Sequence, residues 1–250
     1  MKNSILLLLL TLHFVNAHAQ YPFEKQPRIH YMHYTHWKLL DTSDKKSAYL
    51  INVPSFFKNK SRIGIMVASY PGADSSVITL FKNDLQLVSF IDPYFVGGFS
   101  GPVPQEVFIE DVDGDGNKDI KIFIAGNACC GTYNYYARVI YLFQHKNGSF
   151  TKIAYTDLSM EYKNTLERDF DGDGNYEIIV QSFQHAGEHN YFLFNLYNYK
   201  NGQLVNVNKK ANYPIMVQLL YRNNYAITNK ISRTKMKEFS KPLPDDYHKQ

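Results

Sequence analysis

Two stretches of this chain carry the same acidic pattern, Asp111-Val-Asp-Gly-Asp-Gly-Asn-Lys-Asp119 and Asp169-Phe-Asp-Gly-Asp-Gly-Asn-Tyr-Glu177, each set between runs of alternating apolar residues. Ile120-Lys-Ile-Phe-Ile124 follows the first and Ile178-Ile-Val180 the second. A further apolar run then comes in each case, Arg138 to Phe143 or Tyr191 to Phe194, and after it an Asn-Gly pair, Asn147-Gly148 or Asn201-Gly202. A period of two is the signature of a strand, and a helix would need 3.6. Asn-Gly between apolar runs marks a hairpin, because both central residues of a type I′ turn take positive φ. The chain is thereby held to antiparallel meanders.

A third, degenerate copy precedes these two. Tyr49-Leu-Ile51 matches the entry strand, Arg62 to Val67 the next strand and Asn83-Asp84 the hairpin turn. Its loop holds Val53, Ser55, Phe57 and Arg62 where the later copies hold acids, and Lys58 and Lys60 add positive charge. The units cover about 48–90, 106–154 and 164–207. Each reads as loop, strand, variable loop, strand, tight turn, strand, a small sheet that cannot bury both faces alone but can when neighbours stack on it. Aromatic residues are 15% of the chain, with 20 Tyr and 17 Phe, and such rings fit a pleated surface. The expected fold is all-β, a single repeat domain over 20–250. Residues 20–47 and 211–250 should add strands and closing segments, with a short helix between Thr228 and Ser240.

The spacing of the acidic loops is suited to a hard cation. Asp111, Asp113, Asp115 and Asp119 in one loop, and Asp169, Asp171, Asp173 and Glu177 in the other, wrap carboxylates around one point. Gly116 and Gly174 permit the sharp bend, and Asn117 and Asn175 offer backbone carbonyls. An EF-hand would place a bidentate Glu where Ile122 and Val180 stand, and its flanks would be helical. The expectation is Ca²⁺, about two ions per chain, serving a β-framework.

On these residues the chain resembles the FG-GAP/VCBS repeats of integrin-like β-propellers, well over 106–207 and more faintly over 48–90. The resemblance implies a propeller-like array, small or incomplete because a full ring of such blades does not fit into 250 residues. It also implies two ligand sets: Asp111, Asp113, Asp115, Asn117 and Asp119, then Asp169, Asp171, Asp173, Asn175 and Glu177. The order of leader, Asp-rich loop, Gly-rich loop, Tyr-rich strand and second Asp-Gly loop also resembles periplasmic immunity proteins, which inhibit lysozyme-like toxins.

Residues 1–19 read as a cleavable export signal. Met1-Lys2-Asn3 is a positive start, the apolar run from Ile5 to Val15 is too short for the ~20 residues that span a bilayer, and Ala17-His18-Ala19 has the small-x-small form of a cleavage site. The expected location is the periplasm or the exterior, with no membrane span. A formal net charge of +4, which includes Lys2, is too weak for a nucleic-acid binder. The basic segment 209–250 reads as a solvated face ahead of an anion-binding surface.

The two cysteines, Cys129 and Cys130, are adjacent in a Gly-flanked loop, so no disulfide framework is available. In an oxidising compartment they can close into a vicinal disulfide, with two free thiols as the alternative. His30, His33 and His36 do not share a face on a strand, which argues against zinc. His185 and His189 flank Gly187 and read as part of a loop. No Ser-His-Asp set is visible, and the carboxylate pairs a glycosidase needs are committed to the loops. The expectation is a non-enzymatic protein that binds a protein or glycan of the cell envelope. Its binding face would be the variable loops Gly126–Tyr136, with Tyr133, Asn134 and Tyr135, and Gln184–Asn190. An inhibitor of a lysozyme-like enzyme is one form of this. A surface adhesion module or a cell-wall-polymer hydrolase is the alternative.

Overall fold

A computed structural model describes residues 26–43, 46–69, 75–93, 103–125, 136–158, 166–219, 225–227 and 231–250. The leader, Cys129 and Cys130, and Tyr133, Asn134 and Tyr135 lie outside the described residues. Among those described, the protein is all-β apart from short helical turns, with three separate antiparallel sheets, none closed into a barrel or propeller. No helix among them is long and apolar enough to cross a membrane.

The middle sheet is built on β7 (Val103–Glu110), β8 (Asp119–Ala125), β9 (Tyr136–Gln144) and β10 (Phe150–Leu158), paired in chain order. Its two edges are taken by strands from opposite ends of the chain. β1 (Met32–Tyr34) pairs with β7, and β16 (His248–Lys249) pairs with β10. Both edges of the central meander are therefore partly paired, which shortens the run of free backbone groups that could template association.

The first sheet is a meander of β2 (Lys38–Ser43), β3 (Lys46–Val53), β4 (Ile63–Ser69), β5 (Ser76–Lys82) and β6 (Leu85–Asp92). The third holds β11 (Ile178–Ala186), β12 (His189–Lys200), β13 (Gln203–Asn206), β14 (Ile215–Leu219) and β15 (Tyr225–Ile227). The long strand β12 serves two partners on one side. Its Tyr197–Lys200 end pairs with β13 and its Tyr191–Phe194 stretch with β14.

Alternation along the middle strands sorts side chains into two cores. Val107, Ile109, Ile120, Ile122, Ile124, Ile140 and Leu142 meet Ile51, Ile65, Val67, Ile78 and Leu80 of the first sheet. Their neighbours Phe108, Phe123, Val139, Tyr141 and Phe143 face the third sheet, meeting Ile178, Val180, Tyr197 and Tyr199. Phe143 and Tyr199 stack with ring centroids 3.6 Å apart. The middle sheet is thus buried on both faces, the arrangement that lets a small repeat unit become stable.

Two of the expected connections are corrected by the structure. Asn83-Asp84 and Asn201-Gly202 have positive φ at both residues, as a type I′ turn requires, but in the β9–β10 connection only Gly148 does. That connection is longer, closed by His145 N–H to Ser149 O at 2.9 Å and Gly148 N–H to His145 O at 2.8 Å. The stretch Gln184–Asn190 is not an open variable loop. It is a tight hairpin in which His185 pairs with Asn190 and Ala186 with His189, turning through Gly187 at φ +62°. The two histidines therefore lie on strands, since one glycine suffices for the reversal. The helical turn falls at Arg233–Met236, capped by the Ser232 side chain, inside the stretch read as a short helix.

Candidate metal centre

Residues 111–118 connect β7 to β8, and residues 169–176 occupy the same place before β11, closed by the Arg168–Glu177 bridge. The two loops lie against each other. Tyr176 donates its N–H to Val112 O at 2.9 Å, and the Cα of Gly114 faces Gly174 so closely that a Cβ would stand 2.8 Å from the Gly174 carbonyl oxygen. Gly114 also has φ +73°, so both backbone conformation and close approach require glycine there. Buried Val112 anchors the first loop in the core shared with the third sheet.

In the first loop Asp111, Asp113 and Asp115 bring carboxylate oxygens within 4.8 Å of one another. The loop's own backbone curls around them. Asp111 accepts from the N–H groups of Asp115 (3.1 Å) and Gly116 (2.8 Å), and Asp115 accepts from the N–H of Asn117 (2.8 Å) and from its side chain (2.9 Å). Partial burial, reinforced by Asp115 and Asp111, pushes the Asp113 carboxyl up to about 6. Crowded carboxylates of this kind are relieved by a cation placed among them.

Asp119 has a different post. It is fully buried, and its two oxygens accept from Val112 N–H and Gln144 N–H, both at 2.9 Å. It ties the loop to the end of β9. Burial, with Asp113 adding to it, pushes its carboxyl up to about 8.

The second loop assembles Asp169, Asp171 and Glu177, again within 4.8 Å. Asp169 accepts from the N–H groups of Gly172 (2.6 Å) and Gly174 (3.3 Å), and Asp173 accepts from Asn175 N–H at 2.9 Å. Glu177 uses one oxygen to accept from Phe170 N–H at 2.8 Å, the counterpart of Asp119 and Val112. Its other oxygen faces the cluster and meets Lys210 Nζ at 3.2 Å, while the same ammonium pairs with Asp171. Hydrogen bonding to Lys210 holds the Asp171 carboxyl below the usual carboxylate range, and that to Asp171 holds the Lys210 ammonium above its usual value.

The expected ligand sets are thus brought together in part. Each cluster unites three carboxylates, with Asp119 and Asp173 directed to backbone N–H groups and Asn117 to Asp115. The side-chain oxygen of Asn175 is buried without a hydrogen-bond partner. The donors are all oxygen, which fits a hard cation better than zinc or copper. Lys210 was not legible from the loop pattern, because it reaches the second cluster from the 3₁₀ turn Asn208–Ala211, which follows β13. His33, by contrast, stacks on Phe108 at 4.9 Å and lies 3.3 Å from Glu106, away from either cluster. No protein-family model, no curated protein and no solved structure matches this chain.

Proposed function

We propose that this is an exported calcium-binding repeat protein that acts by binding a ligand of the cell envelope rather than by catalysis, its three sheets forming an open, propeller-like fragment. The observation that carries the metal reading is the pair of apposed loops, each converging three carboxylates through its own N–H groups. Asp111, Asp113 and Asp115 would hold one Ca²⁺, and Asp169, Asp171 and Glu177 a second. A bound ion would cross-link each loop and, through the Tyr176–Val112 contact, stiffen the junction of the middle and third sheets.

Calorimetric titration with Ca²⁺ tests this. Asp113→Ala and Asp171→Ala should each remove about one ion per chain, because each deletes a charged oxygen ligand from one loop. Wild-type stoichiometry in both variants would sink the assignment. Binding to the native state alone stabilises by about 2.7 kcal/mol at a hundredfold excess over Kd, so chelation should also lower the melting temperature.

A further inference from the structure

Where the 54–62 loop meets the first acidic loop, the first and middle sheets leave a cleft of about 800 Å³, in the size range that takes a whole small ligand. Five lysines line it. Lys58 and Lys60 come from the degenerate loop, Lys82 from the end of β5, Lys118 from the last position of the acidic loop and Lys146 from the β9–β10 turn.

None of these ammonium groups has a carboxylate partner among the described residues. Lys82 Nζ lies over the Phe57 ring at 4.6 Å and Lys118 Nζ donates to Ser55 O at 3.0 Å. The nearby Asp84 is already paired with Arg62. The acidic loop turns its carboxylates inward onto its own backbone and presents Gly116, Asn117 and Lys118 to the cleft. Ordinary surfaces intersperse the two signs, and a concave wall of one sign concentrates its field. The charge at this repeat position is inverted: the loops before β8 and β11 carry carboxylates, and the loop before β4 carries ammonium groups.

The geometry points to a binding site for an acidic glycan, whose carboxylates lie among Lys58, Lys60, Lys118 and Lys146 and whose hydroxyls meet the exposed amide of Asn59. The assignment rests on reading the protein as a ligand binder, but not on the metal. A single-stranded nucleic acid fits the same charge less well, because bases need open aromatic faces to stack on. Phe56 is buried at 2% exposure, and a face of Phe57 is taken by Lys82.

The test is titration of the full protein with a short oligogalacturonate at low salt, run both in EDTA and in Ca²⁺. Parallel titrations use a neutral maltooligosaccharide of equal length and an oligothymidylate. The uronate should bind in EDTA, the neutral sugar should not, and binding should collapse in 1 M salt, where the Debye length falls to about 3 Å. Lys58→Glu with Lys60→Glu should weaken binding by on the order of tenfold or more, since two attractions become repulsions. Both side chains are exposed, so the melting curve should not move. Lys146→Glu should act in the same direction, and exposed Lys237→Glu, outside the cleft, should leave affinity unchanged. Absence of uronate binding, wild-type affinity in the cleft variants, or equal binding of the neutral sugar would overturn the assignment. Tighter binding of the oligothymidylate would transfer the cleft to nucleic acid. Because the decisive titration is done in EDTA, its failure leaves the calcium stoichiometry standing, and failure of the calcium test leaves this one standing.

Discussion

Lys210 Nζ stands 3.2 Å from Glu177 Oε1 and also pairs with Asp171, so the second acidic loop carries a cation of its own from the same chain. The first loop has no such counterpart among the described residues. The two loops are alike in sequence and unlike in electrostatics. A divalent ion entering the second cluster must displace the ammonium, whereas among the described residues no ammonium pairs with the first. Two binding events of different affinity are expected, the tighter at Asp111, Asp113 and Asp115. Lys210→Met should strengthen the weaker event by about fivefold, the worth of one partly exposed ion pair near 1 kcal/mol, and leave the tighter one unchanged. Calorimetry on this variant, with Asp113→Ala to isolate the second loop, reads both numbers.

The contact between Gly114 and Gly174 makes the loops mechanically dependent. In Gly114→Ala the new Cβ meets the Gly174 carbonyl oxygen at 2.8 Å, and the residue is also held at φ +73°. Gly116 has a similar φ, +85°, but nothing within 4 Å of a Cβ. Gly116→Ala should therefore cost about 1–2 kcal/mol, the conformational penalty alone. Gly114→Ala should cost clearly more and weaken Ca²⁺ binding at both loops. Urea unfolding of the two variants side by side checks the difference, and equal losses would show that the loops move independently.

Arg138 binds Asp92 through two hydrogen bonds, 2.7 and 2.8 Å, with both side chains at most 1% exposed and Lys152 Nζ 3.6 Å from the same carboxylate. One carboxylate on β6 thus joins two cations on β9 and β10. Asp92→Ala removes the buried carboxylate that both cations share and should destabilise by about 3–5 kcal/mol. Arg62→Ala, which breaks the exposed pair with Asp84, should cost under about 1 kcal/mol. Chemical denaturation of both variants measures the contrast.

Asp157 sits between the middle and third sheets and accepts from the N–H groups of Leu158 and Gln181, both at 2.8 Å. Burial pushes its carboxyl up to about 8 from an ordinary 3.8. The folded state therefore holds a proton at this site that the unfolded chain releases between these values, and this group makes stability fall as pH rises from about 4 to about 8. Asp157→Asn keeps an oxygen acceptor for both N–H groups and cannot titrate. It should flatten that slope by up to about 1.4 kcal/mol per pH unit, read from urea midpoints at pH 5, 6 and 7 in EDTA.

The strands and the loops were legible because they obey local rules. Ile120, Ile122 and Ile124 alternate with Lys121 and Phe123, which suffices for a strand with two distinct faces. Asp-Gly-Asp-Gly specifies a tight acidic loop wherever it stands, since glycine alone enters those backbone conformations without strain. What alternation cannot say is what covers each face. Lys121 would be an outward residue on a sheet with one solvated side. In the folded protein it is 2% exposed, bonded to Glu167 at 2.6 Å and surrounded by Tyr31, Phe123 and Tyr141, because the segments that carry Tyr31 and Glu167 close over that face.

From sequence alone came the repeat, the strand pattern and the carboxylates able to meet a cation. Tertiary structure decided which of them meet. It placed β1 and β16, from opposite ends of the chain, on the two edges of the middle sheet. It brought Lys210 to Asp171 and Glu177, and gathered Lys58, Lys60, Lys82, Lys118 and Lys146 from two sheets around one cleft. The physical reason is range. Backbone preference and side-chain alternation act over a few residues, whereas ion pairing and cleft formation depend on distances that exist only after the sheets have stacked.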